Sequence, residues 1–410
     1  MKNLLTILGL LMATNVIANT IEVGSQKVYK TLGAALRVAK NGDTILLHSG
    51  TYRESNLVID KSIKLLGVNR PVLDGVHKNE ILTVTGRDVL IRGIHFANAG
   101  YSSMNDFAAI KVIDATRIII EGNIITNASF AIHISNATHS QVRGNVIRGT
   151  NKSEHSSGNG IHLWKCENMV IENNDIRGHR DGIYLEFVTE SFIKKNLSEQ
   201  NVRYGLHFMF SHNDTYLGNT FRNNGAGVAV MYTKNVRMEN NLFDRNWGPS
   251  AYGILLKDIS NSFIRNNRFL QNTVGIHMEG SSRIEIAGNV FKSNGWAIKV
   301  QASCDNNHFH HNNYMGNSFD IATNGTMMLN KFSNNYWDKY DGYDMNKDGV
   351  GDVPYHPVSM YAMIVEENPT TLILMRSFMV SLLDKTEKAI PSLTPENLVD
   401  ESPMIKPNKL

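Results

Sequence analysis

Only two cysteines occur in 410 residues, so no disulfide framework holds this chain together. Net charge is nearly absent as well: 41 Lys and Arg against 38 Asp and Glu leave +3 at neutral pH. That balance, with no dense basic stripe, gives no reason to expect a nucleic-acid partner. The apolar stretch after Pro369 is interrupted by Arg376 and falls short of the roughly 20 residues that span a bilayer. No long helical pattern interrupts the middle of the chain, and the leucine-rich consensus of a horseshoe array is missing.

What is present is a repeat. A small residue, an aliphatic one, a variable one and another apolar one begin at Ala109, Ala131, Gly160, Gly182, Gly205, Gly227, Gly253, Gly275 and Ala297. Most steps are 22 or 23 residues, with 29 from Ala131 to Gly160 and 26 from Gly227 to Gly253. A fixed period of this size predicts a solenoid, whose units bury their apolar faces only by stacking on one another. A second ladder runs beside the first: Asn123, Asn145, Asn174, Asn196, Asn219, Asn241, Asn267, Asn289 and Asn312. Two residues after each Asn except Asn196, where Ser198 stands, comes an apolar position, ending in Phe221, Phe243, Phe269, Phe291 and Tyr314. Apolar residues alternating with variable ones read as strands, and Asn-rich stretches read as turns, because Asn tolerates left-handed backbone. The expected fold is all-β: a right-handed parallel β-helix, a pectin-lyase-like solenoid, with helical material at both ends.

The boundaries follow. Residues 1–18 read as a secretory signal, with Lys2, the apolar core Leu4 to Met12, and Val16-Ile17-Ala18 for cleavage. Residues 19–60 make an N-terminal cap and first coil, where Thr31 to Lys40 favours helix, Asn41-Gly42-Asp43 stops it, and Thr44 to Leu47 is a strand. Residues 61–336 form the β-helix, 337–366 an Asp- and Tyr-rich cap, and 367–410 a helix followed by an extended tail. Cys166 and Cys304 fall six rungs apart, roughly 29 Å at strand spacing, so they do not pair with each other.

Strand alternation turns two columns of the repeat outward. One reads Lys111, His133, His162, Tyr184, His207, Ala229, Leu255, His277 and Lys299; the other reads Ile113, Ser135, Trp164, Glu186, Met209, Met231, Lys257, Glu279 and Gln301. Methionine and tryptophan are unusual on a solvated face. His207, Met209 and Met231 are expected to converge on adjacent rungs, with His212 following at the turn. Imidazole and thioether donors together suit copper, and thioether favours Cu(I). The competing reading is packing against a partner or a loop, since methionine also serves adaptable surfaces. His308, His310 and His311, with Met315, form a second histidine cluster. There His308 and His310 are expected to share a face, His311 to point away, and the role to be structural.

Polysaccharide lyases and epimerases also use β-helices, but their chemistry calls for clustered carboxylates. The central face offers only Glu186, with Asp181, Asp258 and Lys257 nearby, so such an enzyme is the alternative reading. The acidic loop Asp344, Asn346, Asp348 and Asp352 opens like a calcium-binding loop, yet Tyr355 stands where the bidentate Glu belongs. Calcium and an ion-free turn both fit. From Thr370 to Lys388, Leu372, Met375, Met379 and Leu382 keep helical spacing and suit docking to a partner, with packing back on the β-helix as the competing reading.

Three runs, GHRDGIYLEFVTESFIKKNLSEQNVRYGLHFMFSHN (178–213), WDKYDGYDMNKDGVGDVPYHPVS (337–359) and NPTTLILMRSFMVSLLDKTEKAIPSLTPENLVDESP (368–403), resemble the NosD family. The resemblance implies a periplasmic accessory protein for maturation of nitrous oxide reductase, held at the inner membrane through its partners. It implies an ABC-type complex with a membrane permease and an ATPase, a copper-donating lipoprotein, and transient copper rather than catalysis. It makes the membrane permease the partner expected to dock at Leu372, Met375, Met379 and Leu382, and it assigns no ligand residue by residue.

Overall fold

The computed structural model describes residues 18–102, 104–150, 157–325, 329–389 and 398–410. Apart from Ala18, the expected signal lies outside the described residues. Short parallel strands build three sheets of 14, 12 and 13 strands, and from the second coil onward each strand pairs with the one three places further along the chain. This is the parallel β-helix that the repeat predicts. The twelve-stranded sheet carries all nine repeat motifs in register: Ile110, Ile132, Ile161, Ile183, Leu206, Val228, Ile254, Ile276 and Ile298 form one inward column.

The repeat keeps a small residue for a steric reason. A Cβ at Gly205 would stand 2.7 Å from Asn224 Nδ2 and 2.8 Å from the Gly227 carbonyl oxygen. Phe130 and Tyr204, each just before a small residue, pack on the outward rings of His133 and His207, so that position also faces outward.

Every member of the asparagine ladder from Asn123 to Asn312 is buried. Each after Asn123 accepts at Oδ1 from the backbone N–H and side-chain amide of the preceding member and donates Nδ2 to a main-chain carbonyl of the coil before, as Asn219 does to Ile193 at 2.8 Å. The ladder thereby satisfies corner amides that no sheet hydrogen bond reaches. Beside it Phe221, Phe243, Phe269, Phe291, Tyr314 and Trp337 stack through the core, with ring centroids 4.0–5.5 Å apart.

Both ends are capped, as exposed strand edges require. Helix α1, Leu32–Val38, covers the first coil; Thr31 caps it, and the Glu54 carboxylate accepts from the Leu32 and Gly33 amides at 2.7 and 2.9 Å. The other end differs from expectation. Residues 398–410 are not an extended tail: Asp400 is buried and terminates the asparagine ladder, accepting from Asn335 N, Asn335 Nδ2 and Trp337 Nε1. A carboxylate can do this because it offers acceptors and needs no donor of its own.

An unforeseen helix α2, Met360–Glu367, packs Tyr361, Ala362 and Val365 on Val274, Trp296 and Phe319. The single helix expected over Thr370 to Lys388 is two pieces, a 3₁₀ turn Pro369–Leu374 and helix α3, Phe378–Ala389. Between them Arg376 takes a left-handed φ of 69°, which breaks the helical run.

Candidate copper face

The second outward column is registered as expected: Lys111, His133, His162, Tyr184, His207, Ala229, Leu255, His277 and Lys299. It is far less exposed than an outer sheet face suggests, and His207 retains 5% of its accessible surface. Rings pack edge to face up the solenoid, with centroids 4.6 Å apart for His133 and His162, 4.7 Å for His162 and Tyr184, and 5.0 Å for Tyr184 and His207. His133 Nδ1, His162 Nε2 and His207 Nε2 are buried without a hydrogen-bond partner. Burial, followed by the charges of His133 and Arg180, lowers the His162 pKa to about 3. Burial likewise lowers that of His133. Both rings are therefore neutral near pH 7, the form in which imidazole binds a metal.

Met209 and Met231 are direct register partners, and Glu186 precedes them in the same column. Tyr184 ties the two columns together: its hydroxyl lies 3.9 Å from Met209 Sδ and 3.4 Å from Glu186 Oε2, while its ring packs on His207. Burial, then the charges of Glu186 and Asp181, pushes the Tyr184 hydroxyl up to about 12, so it stays a donor. His207, Met209 and Met231 thus line one patch. His212 does not join it. It lies past the corner, pairing with Thr189, and its Nδ1 accepts from the Lys234 amide at 3.3 Å.

Sequence reasoning left out what orients His207. Asp181, fully buried, occupies the outward position before Gly182; its Oδ1 lies 3.2 Å from Arg203 Nε, and its Oδ2 lies 3.7 Å from Arg180 Nε and 3.8 Å from His207 Nδ1. Arg203 also donates to His207 Nδ1 at 3.0 Å. The imidazole therefore sits between a donor and a carboxylate. With Nδ1 accepting from Arg203, the ring N–H lies at Nε2, and a metal bound there would have to displace that proton. A lone Asp in a column of Phe130, Tyr204, Tyr252 and Trp296 was the available signal.

A second omission is the corner that follows. Phe187, Phe210 and Tyr232 are exposed, stack at 5.2 and 5.1 Å, and all have positive φ. Bulky residues rarely accept that backbone. They form an apolar rim beside Glu186, Met209 and Met231.

The other predicted sites fall elsewhere. In the acidic loop, Asp344 accepts from the amides of Lys347, Asp348 and Gly349, and Asp352 from that of Met345. Near the C-terminus, Met375 turns inward with Val380 and Leu383, whereas Leu372, Met379 and Leu382 are exposed together with Ile373 and Phe378. On this face Asp181 is engaged by arginines, and Glu186 stands four positions beyond Gly182 in the other outward column.

Residues 146–346 match the family described as "Periplasmic copper-binding protein (NosD)". Over that span, just under half of the chain, it is similar to the NosD family. Two curated proteins, each named "Probable ABC transporter binding protein NosD", extend the likeness. That of Pseudomonas aeruginosa is 28% identical over 413 residues, covering 88% of this chain and 87% of its own. That of Stutzerimonas stutzeri is 26% identical, covering 88% and 86%. In structure, the catalytic unit of an alpha-1,3-glucanase from Streptomyces thermodiastaticus superposes with a TM-score of 0.56 at 11% identity, over 74% of this chain and 65% of that one. At that identity the likeness is one of fold, since β-helices host unrelated chemistries. The NosD match spans the asparagine ladder from Asn174 onward, the methionine pair and the aromatic rim.

Proposed function

We propose that this chain is a non-catalytic periplasmic copper carrier that helps assemble the copper centre of nitrous oxide reductase. It receives Cu(I) at His207, Met209 and Met231 and passes it on, with energy supplied by the ATPase of an ABC-type complex. The observation that carries this reading is the registered pair Met209 and Met231 beside a buried His207 whose Nε2 has no partner. Thioether sulfur and neutral imidazole are a Cu(I) donor set. The family's description and the relatives' name support copper and an ABC-type partner. The copper-donating lipoprotein and the reductase are proposed to meet the apolar rim of Phe187, Phe210 and Tyr232, and the permease the exposed side of α3.

The experiment is a Cu(I) competition titration of the untagged protein. Replacing Met209 and Met231 with Leu keeps size and polarity, so the melting temperature holds while affinity falls roughly ten-fold or more. Equal affinity in the double variant would remove these residues from the site.

The loop of Asp344, Asn346, Asp348 and Asp352 is proposed to take calcium as a structural ion. Gly349, at a φ of 89°, supplies its sharp turn. Calcium is expected to raise the melting temperature above that measured in chelator, and no difference would leave the loop as an ion-free turn.

A further inference from the structure

On the fourteen-stranded sheet, away from the methionine face, strand His308–His310 carries two outward histidines and a third follows it. His311 does not point away as alternation predicts. The strand ends at His310, and His311 takes a positive φ of 52°. That turn brings its Nδ1 to 2.9 Å from Nδ1 of His310. His310 has small register partners on both sides, Ala287 and Ser333, so its ring stands clear of large neighbours along its column.

The protonation of His310 can be read from its other nitrogen. Nε2 lies 3.3 Å from Glu285 Oε1. Glu285 is held by Arg265, whose Nε and terminal nitrogen donate to it at 2.9 and 2.6 Å, and this keeps its carboxyl below the usual range. An ionised carboxylate only accepts. Nε2 therefore carries the proton, and the Nδ1 lone pair faces His311. His308 stands alongside, its ring centroid 4.3 Å from that of His310 and its Nε2 2.9 Å from Ser333 Oγ.

We propose that His310 and His311, with His308 beside them, form a second metal site that takes a divalent transition-metal ion and prefers Cu(II). Three imidazoles without a thioether are a nitrogen donor set, which suits Cu(II), Ni(II) or Zn(II) better than Cu(I). The spacing selects further. Two nitrogens bound at about 2.0–2.1 Å are about 2.9 Å apart at the right angle of a tetragonal site and about 3.3–3.4 Å apart at a tetrahedral angle. The observed separation is the tetragonal one. Glu285 fixes the tautomer and ring orientation from behind, as outer carboxylates do at histidine metal sites. Among the described residues no three His, Cys, Asp or Glu side chains already surround one point; His308 completes the set by rotating in. The site lies on a different sheet from the methionines and does not rest on the copper-carrier reading.

The bland alternative is a hydrogen bond from one Nδ1 to the other, which has the same length. Electron paramagnetic resonance of the untagged protein with one equivalent of Cu(II) separates the two. Expected are nitrogen couplings from at least two imidazoles, and a roughly ten-fold or greater fall in Cu(II) affinity in His310→Ala and in His311→Ala. His311 is exposed at a turn, so that variant reads the site with the fold intact, and circular dichroism is the check on the fold. The Met209→Leu, Met231→Leu double variant keeps the wild-type Cu(II) spectrum, and the histidine variants keep wild-type Cu(I) affinity. Unchanged Cu(II) affinity and spectrum in His311→Ala would reduce the cluster to a hydrogen bond. Displacement of Cu(II) by equimolar Zn(II) would overturn the metal preference.

Discussion

Single side chains in this protein are placed by corner chemistry as much as by apolar burial. Asn219 shows how much one corner residue carries. Its Oδ1 serves two donors of Asn196, and its Nδ2 serves the Ile193 carbonyl. Asn219→Leu fills the space yet leaves those groups buried and unpaired, at about 1–3 kcal/mol for each. Chemical denaturation should show a loss on the order of 3 kcal/mol or more, while Asn213→Gly, which keeps the left-handed φ of 61° at an exposed corner, should cost about 0.5 kcal/mol or less. His162 makes a prediction of the opposite kind, about pH. Its folded pKa of about 3 lies below the unfolded value near 6.5. Between those values the unfolded chain takes up a proton that the native ring refuses, so this stability is present above pH 6.5 and lost as pH falls toward 3. The slope reaches up to about 1.4 kcal/mol per pH unit. His162→Phe keeps a ring in the stack and removes that proton. Its melting temperature should fall less than that of the wild type between pH 7 and pH 4.5, and parallel curves would refute the assignment.

At the scale of elements, the C-terminal helices separate two roles that one helix would have confused. On α3, Val380 and Leu383 pack toward Trp296, Phe319 and Tyr361, while Phe378 and Met379 are exposed. Phe378→Glu with Met379→Glu should leave the melting temperature within a degree or two and abolish copurification with the membrane permease. Leu383→Glu should lower the melting temperature, because a carboxylate is then forced against an apolar cluster. If the first pair copurifies as well as the wild type, α3 is not the docking element. Helix α2 closes the far end of the histidine and methionine face, where Lys299 meets Glu366 at 2.6 Å. The face is thus bounded at one end by a helix and along one side by an aromatic rim.

For the whole molecule, the sequence by itself determined the solenoid, its period, the register of nine rungs and both buried ladders. Each depends on a residue recurring at fixed spacing, and stacking converts spacing directly into contact. The pairing of Met209 with Met231 was legible for the same reason. The break at Arg376 was not, because spacing of apolar residues says nothing about a single left-handed backbone angle. Nor was the burial of His207, or its position between Asp181 and Arg203. Those depend on the position before the small residue also facing outward, which sets a carboxylate from one coil against an imidazole from the next. Only the tertiary structure decided that His212 lies past the corner, that His311 swings back to His310, and that Asp400 ends the ladder. In each case a turn or a chain end brings together residues whose separation in sequence carries no period.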